Sequence, residues 1–314
     1  YYCTITENRY IIAEESGVWI MIKATMVLEG GATRGVFTSG VLDYLMEQGL
    51  YTSHVIGVSA GACNGADYVS RQIGRTRDCT IHKEKEYNYY YGFRKFIREK
   101  SLMNMDMIFD RYPNEFFPFD YDTYFGSEME CEIVTTNCET GQAEYMTERH
   151  DKERLMKVCR ASCSMPLVSP IVNVDGVPYL DGGLADSIPV SRAIGIGNKK
   201  IIVILTRNPG YRKKPTSQAA ANLYRRAYKK YPELVRVTIR RNYEYNRQIR
   251  LVEQLQREGK IFVFSPRIPT VSRTEKDYDS LMHFYEHGYQ QAKRRHRELQ
   301  EYLEGISHKI LQQE

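Results

Sequence analysis

The chain has 314 residues, 42% apolar and 26% charged, with a formal net charge of +5. That is enough for a substantial core, in one large domain or two ordinary ones. No run of 18 apolar residues occurs, which excludes a transmembrane helix by pattern, and no helix-turn-helix, zinc-finger or RNP pattern points to nucleic acid.

Residues 1–20 lack a basic start, an apolar run and an initiator Met, whereas Met21 precedes "IKATMVLEGG". They are expected to be a non-native or disordered extension, set apart from a domain over 21–210. Residues 23–29, "KATMVLE", predict a strand, and 35–49 predict a helix with Val36, Leu42 and Leu45 on one face and Gly49 as its stop. Between them lies "EGGATRG" (29–35). Gly-rich loops before a helix offer unpaired backbone N–H groups to an anion, either a nucleotide phosphate or the oxyanion of an acyl transfer. The loop is neither a complete P-loop nor a complete dinucleotide fingerprint, which argues against the nucleotide.

"HVIGVSAGACNGA" (54–66) reads as a buried strand, a tight turn at Ser59 and a helix of small residues. Gly57-Val58-Ser59-Ala60-Gly61 is a G-x-S-x-G pattern, which needs that strand–turn–helix context to expose a nucleophilic serine. An ordinary turn with a capping serine fits the same residues. Residues 87–125 hold 14 Tyr or Phe in 39 positions, with Met103, Met105 and Met107 alternating among them. Such an insertion either packs its own aromatics or forms an adaptable wall over an acyl pocket.

Further along, 131–138 and 142–146 predict a hairpin, and 151–162 a helix. "IVNV" and "VPYL" flank Asp175-Gly176, a two-residue hairpin turn. "YLDGGLADSIPV" (179–190) sets Asp181 at a strand end before Gly182 and Gly183. That edge is where α/β folds carry their chemistry, although an Asx turn fits it too. Residues 200–205 and 261–266 predict late strands. Strands alternating with helices imply a three-layer α/β/α sandwich around a mixed, mainly parallel sheet.

The charge is uneven. From Lys199 onward there are 25 Lys/Arg against 12 Asp/Glu, and before it 19 against 27. The part over 211–314 is therefore expected to be basic, mainly helical and packed on the same domain. Its clusters, among them Arg225-Arg226, Lys229-Lys230, Arg240-Arg241 and Lys293-Arg294-Arg295, are either solvated helix faces or a surface for anionic lipid. Seven cysteines without C-x-x-C spacing read as reduced thiols in a cytoplasmic protein, peripheral at most to the inner face of a membrane. None of the seven histidines has the context of a catalytic base. His54 begins the strand before Ser59, His82 and His150 sit in charged loops, and His283 and His287 lie within a helical pattern.

Taken in order, Gly30-Gly31-Ala32-Thr33-Arg34-Gly35, Gly57-Val58-Ser59-Ala60-Gly61 and Asp181-Gly182-Gly183 resemble the patatin-like phospholipase family, in its bacterial branch. The resemblance extends over about 23–295, with "CRASCSMPLVSPIVNVDGVPYLDGG" (159–183) in the same style. It implies a lipid acyl hydrolase with a Ser59–Asp181 dyad and no histidine. The oxyanion would be held by the N–H groups of Gly31, Ala32 and Arg34, and neither metal nor cofactor would be needed. The Arg34 side chain reads equally as a structural ion-pair partner. Ala32 stands where the family has a third glycine, so a positive φ there would cost about 1 kcal/mol. A regulatory or binding protein on the same fold is the alternative.

Overall fold

The computed structural model describes residues 2–6, 9–14, 17–90 and 101–305, with side chains from Met21 onward. Residues 91–100 of the aromatic-rich segment and 306–314 of the basic part lie outside the described residues.

The sheet is centred on β3 (Gly17–Leu28) and β4 (Leu50–Val58), which run parallel with Leu28 opposite Gly57. β5 (Glu130–Asn137) continues in parallel beyond β4. β9 (Ile201–Ile204) and β10 (Phe262–Phe264) extend the parallel run on the other side of β3. Antiparallel strands finish the β5 edge: β6 (Ala143–Met146), β7 (Val172–Val174) and β8 (Val177–Asp181). The predicted N-terminal extension carries strand backbone, β1 (Tyr2–Thr6) and β2 (Arg9–Glu14), with β1 antiparallel to β2 and β2 antiparallel to the first half of β3. The turn at Asp175-Gly176 has φ of 52° and 86°, the left-handed pair a two-residue hairpin requires.

The fold is a three-layer α/β/α sandwich around this mixed, mainly parallel sheet. Alternation along the strands feeds both faces. Met26, Leu28, Val55, Ile202 and Ile204 enter one core, with the helices α1 (Gly35–Glu47) and α2 (Ala60–Val69). Val27, Ile56, Val58, Ile201 and Val203 enter the other, against Tyr245, Ile249 and Val252 of the long Pro232–Arg257 helix. Strands buried on both faces account for the near-continuous β-branched runs that marked them in the sequence.

The basic part is two helix pairs. Gln218–Ala227 is separated from Pro232–Arg257 by a break that Pro232 closes at the first helical position, and Tyr278–Arg294 is followed by His296–Glu304. The Tyr278–Arg294 helix packs closely on α1 because both contact positions are glycine. A Cβ at Gly40 would lie 2.1 Å from the Tyr285 carbonyl oxygen, and one at Gly288 would lie 2.1 Å from that of Phe37. The C-terminal third is thereby fixed against the element that follows the Gly-rich loop. No helix among the described residues is long and apolar enough to cross a membrane.

Candidate active site

Three loops converge, those that leave β3, β4 and, beyond β5 and antiparallel to it, β8. Ser59 leaves β4 with φ 56° and ψ −125°, a strained conformation for a residue with a side chain, and caps α2. Such a turn thrusts the hydroxyl out between strand and helix. It is possible only because its neighbours lack side chains: a Cβ at Gly61 would lie 2.4 Å from the Leu28 carbonyl oxygen, and one at Gly57 2.5 Å from that of Gly61. The Ser59 N–H donates to Ser162 Oγ at 2.9 Å, and that hydroxyl donates to the Val134 carbonyl at 2.7 Å. Ser162, at the end of the Lys152–Ser162 helix, thus ties the turn to β5. It stood unremarked in the "CRASCS" run, since nothing in the sequence says which serine reaches the turn.

The Gly-rich loop leaves β3 beside this turn. A Cβ at Gly30 would meet the Val58 carbonyl oxygen at 2.7 Å and Ser59 Cβ at 2.9 Å, so the loop backbone lies against the serine. Glu29 anchors it from below. Its carboxylate accepts from the Thr206 N–H at 2.7 Å and from the Tyr245 hydroxyl at 3.0 Å. Ala32 adopts φ 51°, so alanine carries the strain that glycine would avoid. Among the described residues no acceptor takes the N–H of Gly31 or of Ala32. The Arg34 N–H differs from the sequence expectation. It donates to the Gly31 carbonyl at 3.3 Å and closes the 3-10 turn over Ala32–Arg34, which leaves two loop N–H groups free instead of three. Gly35 opens α1, with Ala60 Cβ 3.0 Å from where its own Cβ would stand.

Asp181 ends β8 opposite Thr135 of β5 and is only 1% exposed. Its backbone is held on both sides: its N–H donates to the Ser164 carbonyl at 2.8 Å, and its carbonyl accepts from the Thr136 hydroxyl at 2.9 Å. A Cβ at Gly182 would lie 2.1 Å from the Val134 carbonyl oxygen, so glycine lets this turn sit against β5. Oδ1 accepts from the Gly183 N–H at 2.8 Å, whereas Oδ2 is buried without a hydrogen bond of ordinary geometry. Burial pushes the carboxyl above the usual carboxylate range. The Arg241 cation, the nearby Ser59 hydroxyl, the Gly183 N–H and Arg273 each pull it back. The serine is therefore close enough to act on Asp181, with the hydrogen bond between them left open. Such bonds often tighten only when substrate binds.

Two cavities meet at Ser59. One, of about 170 Å³, runs under α2 and the aromatic-rich segment and is walled by Met103, Met105, Phe109, Tyr112, Phe119 and Met165. Met107 turns away from it to pack with Tyr89 and Tyr112. The sequence offered self-packing or a pocket wall for this segment, and its described residues do both. The second, about 50 Å³, is bounded by the Gly-rich loop, Ser59 and Asp181, and by the cationic side chains Arg34, Arg207, Lys213, Arg241 and Arg273. No histidine lines either cavity. His54 faces Glu130 and Glu132 across the sheet, and His287 Nε2 accepts from the Arg267 N–H at 2.9 Å. Among the described residues no group of His, Cys, Asp or Glu is placed to hold a metal ion.

Comparison with known proteins bears on the same residues. The family model of the patatin-like phospholipases matches residues 26–194, and a domain of unknown function, DUF6363, matches 231–304. YjjU of Escherichia coli K12 is 30% identical over 189 residues, 59% of this chain and 52% of that protein. Lysophospholipase NTE1 of Candida albicans is 27% identical over 190 residues, 57% of this chain and 13% of that protein. The chain thus spans about half the length of the first and a small part of the second. The structure of VipD from Legionella pneumophila aligns with a TM-score of 0.43 at 14% identity, covering 96% of this chain and 71% of that one. The matched span 26–194 takes in the Gly-rich loop, the Ser59 turn and the Asp181 turn, and over that span the chain belongs to the patatin-like phospholipase family.

Proposed function

We propose that this protein is a serine hydrolase of lipid acyl esters that works through a Ser59–Asp181 dyad. The observation that carries the reading is the strained Ser59 turn. It opens onto an apolar cavity, with two free loop N–H groups on one side and a buried carboxylate on the other. Family membership and the lysophospholipase relatives support the substrate class.

The chemistry runs in two halves. Asp181 accepts the Ser59 proton as Oγ attacks the ester carbonyl carbon. The negative charge that develops on the carbonyl oxygen is met by the N–H groups of Gly31 and Ala32, each such donor contributing about 3 kcal/mol. The dipole at the start of α2 adds to this. Collapse breaks the bond to the alcohol, which leaves with the proton from Asp181, and the acyl group stays on Ser59. Water then attacks the acyl-enzyme, giving its proton to Asp181. The fatty acid departs as Ser59 takes that proton back. An aspartate is a weak base in water, with a reference pKa near 3.9, so the upward push of burial is what fits it to this task.

The test pairs a fluorophosphonate probe with turnover of a lysophospholipid by wild type and Ser59→Ala. Labelling and turnover in wild type, both gone in a folded Ser59→Ala variant, are expected. Equal turnover by the two would sink the hydrolase reading. Lipid binding without labelling in either would favour a binding protein on the same fold.

A further inference from the structure

The smaller cavity beside Ser59 holds more positive charge than its surroundings balance. Arg34 comes from the Gly-rich loop, Arg207 and Lys213 from the loop between β9 and Gln218–Ala227, Arg241 from the Pro232–Arg257 helix and Arg273 from the loop before Tyr278–Arg294. Four separate segments thus aim basic side chains at one space of about 50 Å³. The carboxylates that line it are Glu29 and Asp181, and both are partly spoken for. Glu29 accepts from Thr206 and Tyr245, and Asp181 Oδ1 accepts from Gly183.

Among the described residues, none of the five cations forms an ion pair within 4 Å. Arg34 is 3% exposed and its Nε has no acceptor, and the same holds for the buried Nε of Arg241. Arg241 Nη1 reaches only the Met165 sulfur, at 3.8 Å. A buried guanidinium without an acceptor is costly, so the site is built for a partner from outside. It is also rigid. The Lys213 backbone is clamped at both ends by Asn246, at 2.8 Å and 2.9 Å, while its ammonium rests 3.6 Å from the Tyr245 ring centre. Arg207 lies over Tyr211 and donates to the Thr270 hydroxyl at 3.2 Å.

We propose that this cavity binds a phosphomonoester carried by the acyl substrate, so that the preferred substrate is an acyl ester with a dianionic phosphate head. The inference rests on the hydrolase reading for its substrate and adds the head group. A phosphomonoester is small and dianionic, and it offers three oxygens to donors that converge from several sides. A phosphocholine or phosphoethanolamine head would bring a cation among the guanidinium groups of Arg34, Arg207, Arg241 and Arg273 and be repelled. A neutral glycerol head could accept hydrogen bonds through its hydroxyls but would leave the cations of Arg34 and Arg241 without a counter-charge. Arg207, Lys213, Arg241 and Arg273 lie beyond residue 194, so the head-group side is supplied mainly by the C-terminal part of the chain.

The test separates this from catalysis by using ligands with no ester to cleave. Calorimetry measures binding of a short-chain alkyl ether of glycerol phosphate, the same ether bearing phosphocholine, the same ether without phosphate, and inorganic phosphate. The phosphomonoester ether is expected to bind wild type about tenfold or more tighter than the other two ethers, the worth of one or two charge-assisted hydrogen bonds. Arg273→Gln, at an exposed position, and Lys213→Met, which removes an amine that burial and the neighbouring guanidinium groups disfavour as a cation and that a bound dianion would hold charged, are each expected to lose much of that preference while staying folded. Equal binding of the three ethers would overturn the proposal. So would inorganic phosphate binding as tightly as the ether phosphate, because the cavity would then be a free-anion site. A protein that binds the ether phosphate selectively yet cleaves no ester would refute the hydrolase reading and leave the cavity assignment intact.

Discussion

The two cavities that meet at Ser59 are made by different stretches of chain and by different physics. The apolar one is lined entirely by residues from Ala32 to Met165, within the family-matched span. The cationic one draws Arg207, Lys213, Arg241 and Arg273 from beyond it. Apolar burial is non-directional and scales with area, and methionines re-pack around whatever chain they meet. That side is suited to a class of acyl chains. Fixed guanidinium groups need an acceptor of matching charge at the right place. The second side is suited to one kind of head. On the proposed reading, a catalytic centre held in one part of a fold takes its head-group selectivity from another. Here the coupling is the close packing of Tyr278–Arg294 on α1 and of Pro232–Arg257 on the sheet.

The largest effect should come where the two sides join. Asp181→Asn is expected to lower kcat/KM by roughly 10⁴ on every ester, charged or neutral, the scale seen when a catalytic base is lost. Changing any one of His54, His82, His150, His283, His287 or His296 to Ala should cost far less. A histidine whose removal matched Asp181→Asn would break the dyad and require a different base.

A smaller and one-sided effect is expected from the apolar wall. Met103 is half-buried at the cavity and comes from the aromatic-rich segment. Met103→Trp should shorten the space for the chain. Each methylene left unburied forfeits about 0.8 kcal/mol, roughly fourfold in kcat/KM, so long-chain esters should suffer and short ones should not. The preference for the phosphate ether over the neutral ether should stay as in wild type. A loss of both together would mean that the two cavities are not separable.

Much of the parallel sheet could be read ahead of the structure, because strands buried on both faces write β-branched runs at 23–29, 54–58 and 200–205 and because Asp175-Gly176 can hardly be anything but a tight turn. The Ser59 and Asp181 turns were legible because glycine is the residue that close backbone approach demands. The cationic cavity was not. Arg241 read as one of many basic residues on an amphipathic helix, paired in sequence with Arg240. In the fold Arg240 lies 3.6 Å from Glu244 on the surface, while Arg241 turns toward Asp181. A helical pattern tells which residues share a face, but not that this face closes over a loop two hundred residues earlier. Lys213 and Arg273 lie in loops, where periodicity says nothing at all.

The smallest expected effect is a shift along the pH axis, and it tests whether the cationic side also tunes the base. Asp181 must be ionised to accept the Ser59 proton. Its carboxyl is raised above the usual range by burial, and Arg241 is the strongest influence pulling it down, ahead of the Ser59 hydroxyl, the Gly183 N–H and Arg273. Activity should therefore fall as pH drops through this raised pKa. Removing the Arg241 charge takes away the downward pull, so in Arg241→Gln the acid limb should move to higher pH. Arg241→Lys keeps a cation and should hold the limb near its wild-type position. The neighbouring charges are Glu29, Lys213, Arg34 and Arg273. Lys213 is pushed down to about 6 by its burial and by the other cations, so its own titration can overlay the profile. A Lys213→Met background removes that overlap. The profile of kcat/KM is best taken with an uncharged short-chain ester, whose own protonation does not change and which reports the free enzyme. A purely structural role for Arg241 would lower the profile at all pH values without moving it. An acid limb unmoved in Arg241→Gln would place the guanidinium in head-group binding alone.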